Sequence, residues 1–270
     1  MRYGDFEGPA QELIRCKLRE IEEKEQVKIL HAVESGSRAW GFASPDSDYD
    51  VRFIYVRPLP FYLRLEDTRD CIDWALDETL DINGWDLSKV LRHFHKSNAT
   101  LFEWAASPVV YTTTPLWRRI WETARPYFSC KAAMYHYYGT ARKNYETYLT
   151  DNRRQSPKLP DAAHLVRYKK YFYVLRPLLA CRWIEEKAAP PPVLFQTLAD
   201  AVLEEEMKPV VERLMQAKRQ MTESESGRRI AVLDEYLENH IRYFEELAKQ
   251  MADDRNPDWE ALNKIFAAAL

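Results

Sequence analysis

Residues 33–56, VESGSRAWGFASPDSDYDVRFIYV, decide how this chain of 270 residues is read. A Gly-Ser pair, Gly36-Ser37, closes an apolar run. After a short loop come two carboxylates at i and i+2, Asp48 and Asp50, flanked by Tyr49 and Val51. The residues from Val51 to Val56 are mostly β-branched or aromatic, so the carboxylates stand at the start of a strand. Side chains alternate faces along a strand, which puts Asp48 and Asp50 on the same side. Two carboxylates on one face beside a Gly-Ser turn can hold Mg²⁺ and the phosphates that the metal bridges.

Outward from this stretch the pattern is first mixed and then helical. Pro9 to about Gln26 predicts a helix, with Pro9 at a first helical position and Leu13, Ile14, Leu18 and Ile21 on one stripe. Val27–Val33 reads as a buried strand, Gly36–Phe42 as a tight turn with room for one helical turn, and Tyr49–Val56 as the second strand. Residues 57–69, with Pro58 and Pro60, read as irregular. Cys71–Leu76 and Thr79–Trp85 predict a hairpin around Asp77-Glu78. Asp86 suits the N-cap of a helix from Leu87 to about Lys96, and Asn98 the cap of another, Thr100–Ala106, which Pro108 ends. Beyond about residue 115 no strand is expected, only helices over 116–124, 131–150, 160–186, 193–217 and 226–252. AAPPPV, 188–193, is a rigid joint between two of them. The expectation is an α+β chain with one domain over 1–112 and a helical one over 113–270, and a ligand cleft between them.

Composition narrows the function classes. The hydrophobic share, 46%, and the charged share, 30%, are those of a globular protein. No apolar run is long enough to span a membrane, and MRYGDFEGPAQ has no apolar signal core, so a cytoplasmic location is expected. Cys16, Cys71, Cys130 and Cys181 are scattered, which disfavours disulfides or a zinc knuckle and predicts reduced, mostly buried thiols. Net charge is −3, but segment 142–182 has ten Lys/Arg against three Asp/Glu, and 183–270 has eleven against eighteen. A basic middle beside an acidic end suits a phosphate-rich ligand on one face; solvated helix faces explain it equally. The histidines lack HExxH spacing, and His93 and His95 point in different directions on a helix. GxGxxG, GxxxxGK[ST] and GxSxG are all missing, which disfavours Rossmann, P-loop and hydrolase-elbow readings.

Gly-Ser, ten residues, then Asp-Tyr-Asp resembles the signature of the DNA polymerase beta-like nucleotidyltransferase superfamily. The longer string GSRAWGFASPDSDYDVRFIY is similar to the RNA-repair-associated RlaP/YcgL-type predicted nucleotidyltransferases. LDINGWDLSKVL (80–91), KSNATLFEWAASPVVY (96–111) and KKYFYVLRPLLACRWI (169–184) add to that likeness, which covers about residues 27–195. The resemblance implies a polymerase beta-like mixed sheet with helices, followed by an all-helical C-terminal domain that closes the nucleotide and acceptor cleft. It gives Gly36 and Ser37 the grip on a triphosphate: a glycine lets the backbone approach closely, and a hydroxyl can bond a phosphate oxygen. Asp48 and Asp50 match the metal carboxylates. A third is expected on a neighbouring strand, where Asp81 is preferred to Asp86 because Asp86 precedes a helix and is explained as a cap.

The implied chemistry is two-metal nucleotidyl transfer with Mg²⁺ or Mn²⁺, an NTP as donor, pyrophosphate as leaving group and RNA, a 3′ end or tRNA, as acceptor. Arg38 is read as a phosphate contact or, equally, a structural ion pair. Trp40 and Phe42 are read as packing; Glu34 and Asp46 are within reach of the metals in one reading, but are read first as solvated loop carboxylates. Lys89 and Arg92 are read as a surface face or as phosphate contacts. Arg142, Lys143, Lys169, Lys170, Arg176 and Arg182 are candidates for triphosphate or acceptor contacts, with Lys143 and Lys170 first. The nearby tyrosines can stack bases, although helix packing explains most of them. Two rivals stand beside this reading: nucleotidyl transfer to a protein or small molecule, and a catalytically silent nucleotide- or RNA-binding module.

Overall fold

A computed structural model describes residues 8–75, 80–150, 165–220, 222, 225–252, 255 and 257–270. Along the chain the elements are α1 (Pro9–Glu25), β1 (Lys28–Glu34), α2 (Gly36–Trp40), β2 (Tyr49–Val56), α3 (Leu59–Tyr62), β3 (Cys71–Ala75), β4 (Leu80–Asp86), α4 (Leu87–His95), α5 (Ala99–Ala105), β5 (Val110–Thr113) and α6 (Pro115–Ala124). There follow α7 (Cys130–Tyr145), a π-helical turn (Glu146–Thr150), β6 (Leu165–Val166), α8 (Tyr168–Lys187), α9 (Phe195–Val202), α10 (Lys208–Gln220), β7 (Gly227–Arg228), α11 (Ala231–Gln250) and α12 (Glu260–Ala267). The chain is an α+β protein with a mixed sheet and a helical C-terminal region. The turn expected at Asp77-Glu78 and the start of the helix expected from residue 160 lie outside the described residues. No described helix is long and apolar enough to cross a membrane.

Contacts divide the chain into two compact units: residues 1–39, 48–128 and 255–270, and residues 40–47 and 129–254. The first is built on a sheet of order β3-β4-β2-β1-β5 in which β2 and β4 run parallel and the other neighbours antiparallel. β1 and β2 are covered on both faces. Ile14, Leu18 and Ile21 of α1 pack with Ile29, Ala32, Val51, Phe53 and Ile82. Leu87, Phe94, Trp117, Ile120 and Leu262 pack with Leu30, Val33 and Ile54. A register shift between Ile29 and His31 explains why β1 changes phase between these layers, as a bulge does. Leu13, expected on the stripe of α1, is instead 50% exposed.

This unit differs from the sequence expectation in three ways. Val110–Thr113 is a strand, paired with β1 at the sheet edge. Leu59–Tyr62 is helical within a stretch read as irregular. Residues 113–128 and 255–270, expected with the helical domain, belong to the sheet unit, because Trp117, Ile120, Ala124, Leu262 and Ile265 bury their apolar faces in its core.

The second unit is helical around α8, whose residues from Val174 to Cys181 are all buried. Phe42 stacks on Phe172 at 4.8 Å and meets Phe195 edge-on at 5.7 Å. Burying such a ring contributes roughly 2–3 kcal/mol. Trp40 and Phe42 are thus packing residues, as their sequence context implies. The expected helix over 193–217 is broken between α9 and α10, where Leu203 leaves helical geometry and buries its side chain. A short antiparallel pair, β6 with β7, occurs where no strand was expected.

Candidate active site

The site grows from the end of β1, where the chain turns at Gly36. Gly36 has φ +59°, a left-handed conformation that costs a residue with a Cβ about 1–2 kcal/mol. A Cβ there would also lie 2.0 Å from Asp50 Oδ2. The missing side chain of Gly36 therefore makes the space that Asp50 occupies. The Ser35 N–H donates to the Asp50 carbonyl at 2.8 Å, so corner and carboxylate strand are also joined through the backbone.

Asp81 lies on β4, in parallel register directly beside Asp50 of β2. Arg52, two residues beyond Asp50 on the same strand, spans both. Its Nη2 donates to Asp50 Oδ1 at 3.2 Å and to Asp81 Oδ2 at 2.7 Å. Its Nη1 donates to the carbonyls of Val51 at 3.0 Å and Asp81 at 3.1 Å. Asp50 is partly shielded and Asp81 is 59% exposed. Asp48 is exposed just before β2. Asp86, the rival third carboxylate, is buried; it accepts from Ser88 N at 2.8 Å as the N-cap of α4, and from the Tyr62 hydroxyl at 2.8 Å. Among the described residues, Asp81 and not Asp86 is brought to Asp50.

Glu34 overturns a sequence expectation. It is 1% exposed at the end of β1, not a solvated loop carboxylate. Its Oε1 accepts from the Asp50 N–H at 2.8 Å, and its Oε2 accepts from the Tyr111 hydroxyl. Ser107 Oγ donates to the Glu34 carbonyl at 2.7 Å. Burial drives the Glu34 carboxyl up to about 7, against the pull of the Tyr111 and Asp50 hydrogen bonds. Glu34 thus positions the backbone of Asp50. The missed signal lay in the sequence: VVYTT, 109–113, is β-rich and places Tyr111 on the strand beside β1. Arg52 was missed because a basic residue within a strand pattern reads as one of its solvent-facing positions.

The remaining candidates fall in two groups. In the sheet unit, Arg38 Nε donates to the Asp48 carbonyl at 3.0 Å, and its guanidinium lies 3.8 Å from the centre of the Tyr49 ring. It braces the strand entrance. Ser37 is half-buried in α2. Lys89 donates to Asp70 and Cys71 rather than standing as a surface charge. In the helical unit, Arg142 pairs with Glu146 and Glu245, and Arg182 with Glu185 and Glu204. Arg176 is buried, donates to the Val193 carbonyl at 3.2 Å and lies over Trp40. Lys170 Nζ sits 3.6 Å from the Tyr148 ring centre and 4.8 Å from that of Tyr173. Lys143 is exposed on α7.

The donors suit a hard divalent cation. Mg²⁺ takes oxygen ligands, typically one or two carboxylates, and completes its shell from phosphate and water. Asp50 and Asp81 converge on one guanidinium nitrogen, so their oxygens already share a cation. Among the described residues no three His, Cys, Asp or Glu side chains are grouped to hold an ion by themselves.

The Gly-Ser corner, the Asp-x-Asp at the head of β2 and the parallel neighbour bearing a further carboxylate stand in a chain whose family match makes it a protein of the polymerase beta-like nucleotidyltransferase class. More narrowly, the chain belongs to the RNA repair pathway DNA polymerase beta family, RlaP, whose sequence profile matches residues 10–268. It is 42% identical over 255 residues to the uncharacterized protein YcgL of Bacillus subtilis (strain 168), covering 93% of this chain and 92% of that one. A crystal structure of a nucleotidyltransferase-like protein from Exiguobacterium sibiricum 255-15 aligns over 95% of this chain and 79% of its own, with 14% identity and a TM-score of 0.29.

Proposed function

We propose that this protein is a cytoplasmic, Mg²⁺-dependent nucleotidyltransferase, with Mn²⁺ able to replace Mg²⁺. It would move an NMP from an NTP to a hydroxyl of RNA, a 3′ end or a tRNA, and release pyrophosphate. The observation that carries this reading is the parallel register of Asp50 and Asp81 beside the Gly36 corner. The RNA acceptor is supported by the description of the family.

In this mechanism Asp48, Asp50 and Asp81 would hold the metal, with phosphate and water completing its shell. When bound, Mg²⁺ supplies neutralisation of the triphosphate and acidification of the attacking hydroxyl. Gly36 and Ser37 bind the triphosphate through close backbone approach and the Ser37 hydroxyl. Asp81, the more exposed carboxylate, orients the acceptor hydroxyl and takes its proton. The hydroxyl oxygen bonds to the α-phosphorus, and the bond from that phosphorus to pyrophosphate breaks. Arg38 keeps the entrance to β2 in place.

The test is a transfer assay with labelled NTPs and RNAs bearing a free 3′ hydroxyl, with Mg²⁺ and with a chelator. Label on RNA with equimolar pyrophosphate, lost with the chelator and in Asp50→Asn, is the expected result. Label on a Tyr, Ser or Thr side chain or on a small molecule, with none on RNA, would move the protein to the other transferase branch. A second reading is favoured by one observation: Arg52 already bridges the two carboxylates. In that reading the protein is a silent module that binds nucleotide without metal, and calorimetry of ATP and CTP with and without Mg²⁺ distinguishes the two.

A further inference from the structure

Away from the carboxylates, at the opposite end of β4 from Asp81, Cys71 begins the edge strand β3 and pairs with Trp85. Lys89, in the first turn of α4, reaches back over Trp85, its Nζ 5.1 Å from the ring centre. That nitrogen stops 2.7 Å from Cys71 Sγ and 3.0 Å from Asp70 Oδ1. A separation of 2.7 Å is ordinary between nitrogen and oxygen, but it is short for nitrogen against the larger sulfur atom. Asp70 faces both partners, with Cys71 Sγ 3.5 Å from the same Oδ1. Three elements thus pin an amine against a thiol: Asp70 before β3, the β3–β4 pairing, and the N-cap of α4 at Asp86. Cys71 and Lys89 are each only partly buried, so a small oxidant can reach them.

We infer that Cys71 and Lys89 are a modification site, where oxidation by dioxygen joins the two side chains through one bridging oxygen, Nζ–O–Sγ. The ammonium first gives its extra proton to solvent. The neutral amine and the thiol then react with O₂: one N–H and the S–H bond break, N–O and O–S bonds form, and the second oxygen leaves as water. Nitrogen and sulfur each give up an electron pair, and dioxygen takes both. Two molecules of a dithiol reductant reverse the step, giving four hydrogens in all, becoming two disulfides and returning amine, thiol and water. The product staples the start of β3 to the start of α4, closing a loop in the unfolded chain and so raising stability. The assignment stands independently of nucleotidyl transfer, because neither side chain belongs to the carboxylate site.

Peptide mass spectrometry of the folded, full-length protein tests it, after reduction and then exposure to oxygenated buffer. The expected product is a single tryptic peptide carrying both Cys71 and Lys89, internally bridged and heavier than the unbridged sequence by one oxygen less two hydrogens. Trypsin should fail after Lys89, dithiothreitol should restore that cleavage and the unbridged mass, and the oxidised protein should melt higher than the reduced one. Exposed Cys16 serves as the internal comparison, taking up whole oxygen atoms only. Cys71 carrying whole-oxygen adducts with Lys89 still cleaved, a direct N–S bond lacking the oxygen, or an unmodified pair would each overturn the assignment. In Lys89→Arg the cross-linked peptide should vanish while the fold, read by circular dichroism, persists.

Discussion

The sheet unit gathers acidic groups on neighbouring strands and sets a single guanidinium, that of Arg52, between Asp50 and Asp81. The helical unit does the reverse: Arg142, Arg182 and Arg229 each meet carboxylates of their own unit. The difference separates charge used for architecture from charge kept in excess. Arg229 shows the architectural kind. Its Nε and Nη2 bind both oxygens of Asp234 at 2.9 Å, with side chains 11% and 15% exposed, and the Tyr171 hydroxyl adds a bond at 3.0 Å. In the sheet unit one cation faces two carboxylates, with a third exposed at Asp48. That excess of negative oxygen suits a hard divalent cation.

The sharpest test of this contrast is Asp50→Asn. Removing a group that stabilises developing charge costs roughly a hundred- to a thousandfold in rate. Because the Asp50–Arg52 pair is partly exposed, stability should move by less than about 1 kcal/mol. Turnover in the transfer assay and a urea titration read the two quantities; retained turnover would remove Asp50 from the chemistry.

Asp234→Ala should show the mirror image. It strands a shielded guanidinium and the Tyr171 hydroxyl, a loss of about 3 kcal/mol. Urea unfolding should register that loss while the residual folded enzyme keeps its turnover per molecule.

A buried titrating group sharpens the picture within the sheet unit. His31 stacks on Trp117 at 4.8 Å, and burial lowers its pKa to about 4 from an ordinary 6.5. The unfolded chain takes up this proton below 6.5, and the folded chain not until about 4. Stability is therefore lost as pH falls through that window, by about 3 kcal/mol in total. His31→Phe keeps the ring stack and should flatten this acid slope in a series of unfolding curves.

The smallest effect is expected from Arg142→Gln. Its ion pairs on α7 are exposed and screened by solvent, so little stability and little turnover should be lost. A variant folded normally but inactive would break the contrast, because it would place a helical-unit charge on the ligand.

Much of the carboxylate frame was legible before any coordinates. Asp48-Tyr49-Asp50 followed by a β-rich run, and Asp81 within a second such run, carry strong periodic signals. Asp86 ahead of Leu87 reads as a cap for the same local reason and is one. Glu34 was misjudged because its burial depends on Tyr111 and Ser107, more than 70 residues away. The edge strand Val110–Thr113 is too short for its alternation to stand out, and it exists by pairing with β1. The basic run over 142–182 was readable as charge, but not the acidic residues of distant helices that neutralise Arg142 and Arg182.

Local chemistry alone was enough to specify the Gly-Ser corner, the Asp-x-Asp at the head of β2 and the caps at Asp86 and Asn98, since each depends on a few adjacent residues. Strand order, the register that sets Asp81 against Asp50, and the contacts of Arg52, Glu34 and Lys89 required the folded chain. They join residues far apart in sequence, and pairing energies between distant segments leave no periodic trace in either segment alone.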